Sequence, residues 1–523
     1  MKLKFINLYL SSKYINSISI NLNYLMLKSY YRYKNESNHN KIDWTELLWQ
    51  PDLTVDEIVD IIVKEKIEIL CISLFVWNSD FTYMIAKKVK KQLPNIKIIA
   101  GGPDVFALNN PSYFVNHPYI DYAVYGDGEE AFSYIIDSIL ENTPITDGVN
   151  IVTREKTYPH RIFYDLRYNK QSSFMSEKDL LETHIYDVLL SNEDKFHIQI
   201  RWERARGCPY TCSFCDWSSG LHHKVKRKQS NWREELDFLL AFPITVVPTD
   251  ANWGIYKEDI AITKYAVKRG KFFVSNFSKL HKDRVYELFD IIAANKKEIS
   301  LKISLQDIHE DVLENVERPE VPWNEQVLYL DAFRKKHKGA KVITELITGL
   351  PGQTIEKQIN QLQEFAKAKI DWMICFFWEL IPNSPANKIR YQKKFGIEFD
   401  QLTLLSSKDF ISYEQIREAM KQGNPGWSKS KIVTQSGDMT LADMLTCFAL
   451  TELYKKIVNS SEKNFTLINE SVANNILKDM IKASETIKES KVFAIYDKNT
   501  RCLLSPEHYF SNLTLTDFMS RYY

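Results

Sequence analysis

The chain has 523 residues, with 68 Lys and Arg against 67 Asp and Glu, a net charge of +1. A length of that order allows roughly two to four domains, and so even a balance offers no electrostatic footprint for nucleic acid or anionic membrane. Seven cysteines are too few, and odd in number, for a secreted disulfide framework.

Taken in order, residues 1 to 145 alternate apolar runs with amphipathic stretches, the pattern of a parallel sheet with crossover helices. Strands are expected at Lys4–Leu10, Ile67–Phe75, Ile96–Ala100 and Tyr122–Tyr125, and helices at Thr54–Lys64, Asp80–Gln92 and Glu129–Leu140. Met1 to Leu10 is short and apolar but precedes no small-residue cleavage site, so it reads as a strand and not a leader. No apolar run reaches the length of a membrane span. A reducing, cytoplasmic location is expected. In open α/β sheets ligands sit beyond the carboxyl ends of strands. Those ends carry Ser73 with Trp77 and Asn78, then Gly101-Gly102-Pro103, then Gly126-Asp127-Gly128-Glu129. Glycine there permits positive φ and close approach of backbone to a large ligand. Each taken singly is also what a tight turn requires.

Residues 146 to 195 form a connector to which no chemistry is assigned. From 196 to 390 strand and helix alternate again, with strands expected at Phe196–Trp202, Ile244–Pro248, Lys271–Ser275, Ser300–Leu305, Val342–Thr348 and Trp372–Leu380. Six such units imply a partial (βα)6 barrel, whose active residues belong at the C-terminal ends of its strands. After the first comes Cys208-Pro209-Tyr210-Thr211-Cys212-Ser213-Phe214-Cys215-Asp216-Trp217. Three thiols on one tight loop can hold three corners of an iron–sulfur cube and leave one iron open. A structural zinc site wants four ligands in two pairs, and His222 or His223 could supply a fourth. The later strand ends carry Asp250 and Asn252, then Ser304 and Gln306, then Gly349-Leu350-Pro351-Gly352-Gln353, then Glu379 before Pro382-Asn383-Ser384-Pro385. Alternation puts Ser304 and Gln306 on one face of their strand. Residues 391 to 523 lose the alternation and are expected to form a helical C-terminal domain, with helices at Ser412–Lys421, Leu441–Asn459 and Glu470–Ser490.

The cysteine loop, with its lead-in Glu203-Arg204-Ala205-Arg206-Gly207, resembles that of the radical S-adenosylmethionine (radical SAM) superfamily. The strand ends of residues 1 to 145 resemble the cobalamin-binding domain that precedes the barrel in one large subclass, the class B methyltransferase-like enzymes of natural-product and peptide biosynthesis. The resemblance covers residues 1 to 390. It implies a Rossmann-like cobalamin domain, a barrel holding a [4Fe–4S] cluster on Cys208, Cys212 and Cys215, and S-adenosylmethionine bound by its amine and carboxylate on the open iron. Phe214, Trp217, Asp250, Asn252, Ser304, Gln306 and Gly349 would then line that nucleotide, and Ser73, Trp77, Asn78, Gly101, Gly102, Gly126, Gly128 and Glu129 the cobalamin. Glu379 would face the barrel mouth as a catalytic carboxylate. Arg318 would pair with the methionine carboxylate or lie at the surface. Two departures stand out. The cobalt-ligating Asp-x-His-x-x-Gly signature is missing, and Gln353 stands where the family has Glu. The activity implied is methyl transfer to carbon of a peptide or small natural product, by a radical or a polar route, with electrons from a donor such as flavodoxin or ferredoxin. Cyclisation, rearrangement or epimerisation with the same cofactors is the alternative, and a non-catalytic iron–sulfur or zinc scaffold a further one.

Overall fold

The structure is a computed structural model. It describes residues 1–7, 17–20, 23–48, 53–76, 78–105, 112–161, 197–218, 224–228, 231–295, 300–405, 429–437, 439–461, 463–488, 496–497, 502–504 and 513–523. Trp77, His222, His223, the expected helix Ser412–Lys421 and the whole of the connector beyond residue 161 lie outside them.

The chain opens with β1 (Lys2–Asn7), β2 (Ser17–Ile20), β3 (Asp43–Leu48), β4 (Ile69–Ser73), β5 (Lys97–Gly101), β6 (Tyr122–Val124) and β7 (Ile151–Val152). All but β2 form one sheet in the order β3-β1-β4-β5-β6-β7, parallel except for β7. Strand β4 is buried on both faces from Ile69 to Ile72, which is why it reads as an unbroken apolar run. Thr54 and Glu57 form a reciprocal capping box that starts the helix Val55–Lys64. Because β4, β5 and β6 run parallel and in register, Ser73 lies opposite Gly101, and the loops that follow share one sheet edge.

The second body begins at β8 (His197–Trp202), followed by β9 (Ala205–Arg206), β10 (Lys226–Arg227), β11 (Thr245–Pro248), β12 (Lys271–Phe272), β13 (Ser300–Gln306), β14 (Lys341–Thr348) and β15 (Trp372–Phe377). Its parallel strands lie in two runs, β2-β8-β11-β12 and β13-β14-β15. The expected six strands are all present. A seventh comes from an unexpected place: Ser17–Ile20, far upstream, pairs along the outer edge of β8. Two residue pairs of alternating polarity in a four-residue strand are too short a signal to read. On β14 the odd positions from Ile343 to Ile347 are half-buried and the even ones, Val342 to Thr348, buried. The even face meets the helices, and the odd face, with Glu345, looks into the barrel.

The C-terminal region supplies the helices Leu441–Val458 and Glu470–Lys488 close to the expected bounds. It also contains a five-stranded sheet, β18-β17-β16-β20-β19, that the sequence reading did not place; its strands are β16 (Glu398–Leu405), β17 (Lys429–Ser436), β18 (Met439–Thr440), β19 (Tyr496–Asp497) and β20 (Cys502–Leu504). The helix Leu441–Val458 is buried on nearly every face, and its buried Glu452 and Lys455 pair with each other at 2.6 Å. Phe448 packs on Phe377 with ring centroids 4.3 Å apart, and Gln358 Nε2 donates to Thr451 Oγ1 at 3.0 Å. This helix therefore closes the outside of β14 and β15. Among the described residues no helix is long and apolar enough to cross a membrane.

Candidate active site

The cysteine loop is an excursion with a pinned base. Strand β9 pairs antiparallel with β10, Arg206 opposite Lys226 and Ala205 opposite Arg227. Gly207, at φ +105°, turns the chain from β9 toward Cys208. The loop is then held from the barrel side. Ser213 N donates to Val316 O at 2.8 Å, Ala386 N donates to Ser213 O at 2.9 Å, and the Ser213 and Tyr391 hydroxyls meet at 2.8 Å. Tyr210 Oη accepts from the amides of Lys279 and Leu280. Cys215 N closes a turn onto Cys212 O at 3.0 Å.

Cys208 and Cys212 are buried and Cys215 half-buried. Burial pushes the Cys212 thiol up, with Arg318 opposing it. Burial pushes Cys215 up to about 12, and Cys212, Cys208 and Asp216 add to the rise. Dry thiols raised in this way give up their protons only to nearby cationic charge, which the iron of a cluster would supply. Among the described residues no three His, Cys, Asp or Glu side chains converge on a single point as they would around one ion. A cube does not ask for that, because each thiolate binds a different iron. The donor set fits a cluster.

Around the loop several polar groups are already committed. Asn252 Nδ2 lies 3.2 Å from Cys208 Sγ, so this side chain serves the sulfur. Asp250 Oδ1 accepts from Arg204 N at 2.8 Å, bracing the lead-in to the loop; burial lifts its carboxyl to about 7. Ser304 Oγ donates to Glu345 Oε2 at 2.8 Å. Gly349 donates its N–H to Gln353 Oε1, and the place a Cβ would take is occupied by Met444, 3.1 Å away. That glycine admits the C-terminal helix. Gln353 Nε2 also donates to Asp307 Oδ2 at 2.6 Å. A glutamate in its place would set two carboxylates together, which explains the amide here. Phe214 lies under the Arg318 guanidinium, 5.9 Å from ring to charge, and Trp217 follows in a short 3-10 turn. Glu379 is half-buried and its backbone bridges to Ile432 of β17.

Two of the buried polar atoms among the described residues bear on nucleotide binding. Gln306 Oε1 and Arg318 Nε are buried with no hydrogen-bond partner. Gln306 also sits at φ +67°, at an irregularity where β13 leaves register with β14. Strain in a side chain of this size and an orphaned buried acceptor both cost free energy, of order 1–3 kcal/mol each. Such costs are retained where a ligand repays them. Arg318 Nη2 donates to Ser304 O and to Glu320 Oε2, leaving Nε aimed elsewhere.

Lys302, Ser304 and Glu345 line the barrel side of β13 and β14, with Lys302 Nζ on Glu345 Oε1 at 2.5 Å. Ile347 and Phe376 are opposite each other on the same side, and Phe376 is 47% exposed. The sequence reading missed Glu345. A lone carboxylate inside a strand of a parallel sheet was the available signal.

On the first sheet, Gly102 and Gly126 are exposed at the common edge, at φ +108° and +69°. Asn78 instead staples its own loop: Oδ1 accepts from Phe75 N at 2.8 Å and Nδ2 donates to Ser73 O at 3.1 Å. Ser73 Oγ accepts from Asn23. Gly101 ends β5 and Gly128 precedes the helix Glu129–Glu141. Glu129 is bonded to Arg206 at 2.8 Å. His117 stacks on Tyr83 at 4.0 Å and meets Tyr119 Oη at 2.8 Å; burial holds its imidazole below the usual range. It is engaged within its own loop. This sheet edge meets the segment after β15, where Asn383 Nδ2 donates to Pro103 O at 2.6 Å, and the lead-in to the cysteine loop, where Arg206 pairs with Asp127 at 2.7 Å.

A prediction arises at Asn252. Replacing it with alanine removes the N–H aimed at Cys208 Sγ without removing a ligand. Iron should still load, the cluster potential should fall, and reductive turnover should drop about 10- to 100-fold. Potentiometry on the variant checks this; an unchanged potential overturns it.

Residues 36–136 match the B12 binding domain family. Over 358 residues the chain is 27% identical to the cobalamin-dependent radical SAM methyltransferase TokK of Streptomyces tokunonensis, covering 66% of this chain and 51% of TokK. It is 27% identical over 340 residues to 2-(S-pantetheinyl)-carbapenam-3-carboxylate methyltransferase of Streptantibioticus cattleyicolor, covering 61% and 48%. The chain thus spans about half the length of the curated relatives it matches. Its fold is similar to the solved structure of the radical S-adenosylmethionine methyltransferase TsrM of Kitasatospora setae, with a TM-score of 0.56 at 11% identity over 93% of this chain and 99% of that one.

Proposed function

We propose, on the premise that this chain carries a B12-binding domain and is homologous to the cobalamin-dependent radical SAM methyltransferases, that it is a methyltransferase of that kind, moving a methyl group from S-adenosylmethionine to a carbon of a small natural product or peptide. The observation that carries the reading is the pairing of a three-thiol loop with two orphaned buried polar atoms beside it, Arg318 Nε and Gln306 Oε1. An arginine N–H suits a carboxylate, and an amide oxygen suits a ribose hydroxyl or an ammonium. When bound, the cluster and cobalamin would supply electrons to a sulfonium and a carrier for the methyl group.

The chain's own residues do the rest. Cys208, Cys212 and Cys215 hold the cluster, with Asn252 donating to the first sulfur. Arg318 and Gln306 bind the polar ends of the nucleotide, beside Phe214. Glu345, neutralised by Lys302 and held by Ser304, stands inside the barrel with Ile347 and Phe376 around it. That apolar wall excludes water from reactive species. Glu379, at the end of β15, is placed to hold a substrate amine or take a proton. Gly101, Gly102, Gly126 and Gly128 give the cobalamin close access to backbone at the edge of the first sheet. Similarity to a carbapenam methyltransferase favours a small molecule over a peptide.

Anaerobic reconstitution with iron, sulfide and cobalamin tests the proposal. Incubation with S-adenosylmethionine and dithionite should release 5′-deoxyadenosine, or S-adenosylhomocysteine by the polar route. A fully loaded protein that releases neither overturns it.

A further inference from the structure

The two halves of the proposed site belong to different bodies of the fold, and one side chain joins them. Arg206 ends β9, two residues before Cys208. Its Nη1 donates to Asp127 Oδ1 at 2.7 Å and to Glu129 Oε2 at 3.2 Å, and its Nη2 donates to Glu129 Oε1 at 2.8 Å. Nε and Nη2 also reach the two oxygens of Glu203, at 2.9 and 3.0 Å. Lys228 Nζ reaches Glu203 Oε2 at 2.7 Å from the other side. The Arg206 side chain is 19% exposed and the Asp127 and Glu129 side chains 4%.

Both ends of this clamp are stiff. Asp127 lies between Gly126, whose positive φ shapes the turn after β6, and the first turn of the helix Glu129–Glu141, and its carbonyl accepts from Asn150 Nδ2 at 3.0 Å. On the other side Gly207 turns directly into Cys208, and the Ser213 contacts lock the loop to the barrel. Arginine suits the task because its planar fork of five N–H donors serves all three carboxylates at once in a fixed geometry, which an ammonium cannot. Buried pairs of this kind fix geometry more than they add stability. Glu129, placed by resemblance among the cobalamin contacts, is spent on this clamp.

We propose that Arg206 is a positioning residue which fixes the cluster loop against the Gly126–Glu129 loop and thereby sets the separation of the cluster and the cobalt. The inference rests on the functional reading above. Its test uses the full chain loaded with iron–sulfur cluster and cobalamin, and reads the dipolar coupling between cob(II)alamin and the reduced cluster by electron paramagnetic resonance. Wild type should give one narrow coupling. Arg206→Gln should broaden or weaken it at unchanged iron and cobalamin content, with Arg206→Lys in between. An effect on fold stability alone would leave the coupling narrow, and that result overturns the proposal. If Arg206→Gln loses iron, the double variant Asp127→Ala with Glu129→Gln decides, because it removes the clamp's carboxylates on the first sheet and leaves the cluster loop untouched: a broadened coupling supports the clamp, an unchanged one refutes it. If wild type takes up no cobalamin, the functional reading fails and the clamp is judged separately, by amide exchange in the iron-loaded protein. Arg206→Gln should then speed exchange roughly tenfold at both Asp127 and Cys208. Faster exchange at Cys208 only overturns it.

Discussion

Cys212→Ala protein should fold, purify and hold almost no iron. The loop does not depend on this sulfur for its shape. Its anchors are backbone groups, Ser213 N on Val316 O and Ala386 N on Ser213 O, and the turn between residues 212 and 215 uses a carbonyl that alanine keeps. The loss of one small buried side chain should cost about 1 kcal/mol of stability. The loss to the cluster is of another order, since a cube held at two corners exposes a second iron and disassembles. Iron content and thiolate-to-iron absorption should fall to background, and 5′-deoxyadenosine release at least 100-fold, to order of magnitude, beyond what removal of a supporting hydrogen bond causes. Loading should also depend on pH in a definite direction. Burial raises both Cys212 and Cys215, so protons must leave as iron enters, and acid should oppose assembly. Cys375→Ala is the control. Its thiol, lifted to about 12 by burial, lies 3.0 Å from Thr348 Oγ1 and also bonds Thr451 of the C-terminal helix, on the helix side of β15 and away from the cysteine loop. That variant should keep its iron. Turnover surviving in Cys212→Ala would sink the cluster assignment.

What the sequence made legible follows from where its signals are dense. Strands β4, β5, β8, β11 and β14 are continuous or alternating apolar runs between turn residues, and each was placed to within two residues at either end. The cysteine spacing is local, so the loop was plain. Side-chain commitments were not. Asn78 and Asp250 have the polarity of ligand contacts, yet both are used up on backbone amides of their own fold. Gly349 has the flexibility of a nucleotide contact, but its open side is filled by Met444 from a helix nearly a hundred residues downstream. Such partners meet only through tertiary packing, and a residue's type does not reveal them. Sequence spacing hid β2 for a related reason: it crosses from the first body to pair with β8. The Arg206 clamp lay in full view as a motif residue, but its two partners are 77 and 79 positions away.

Gly102 should prove the least replaceable residue at the edge of the first sheet, and its neighbour the control that shows why. An alanine Cβ at 102 would fall 2.4 Å from Leu74 O and 2.9 Å from Leu74 N. Those are backbone atoms of a fully buried residue, so nothing flexible can yield. The same site holds φ at +108°, where an L-residue is strained by about 1–3 kcal/mol even in open space. Relief requires the loop to lift off Leu74, which breaks the Asp104 N to Leu74 O bond of 3.1 Å and drags Pro103 from Asn383. Together these should cost on the order of 2–4 kcal/mol and lower cobalamin retention at least tenfold, to order of magnitude. At Gly101 an added Cβ would meet only Val124 Cβ, at an ordinary 3.9 Å. Gly101→Ala should therefore unfold within about 0.5 kcal/mol of wild type. The two variants separate fold from ligand. Cobalamin lost from Gly102→Ala alone ties retention to the loop's path over Leu74. Lost from Gly101→Ala as well, at unchanged melting temperature, it means the methyl stands where the corrin must lie. A Gly102→Ala protein with wild-type melting and full cobalamin would refute the packing argument and, with it, this loop's place in the cofactor site.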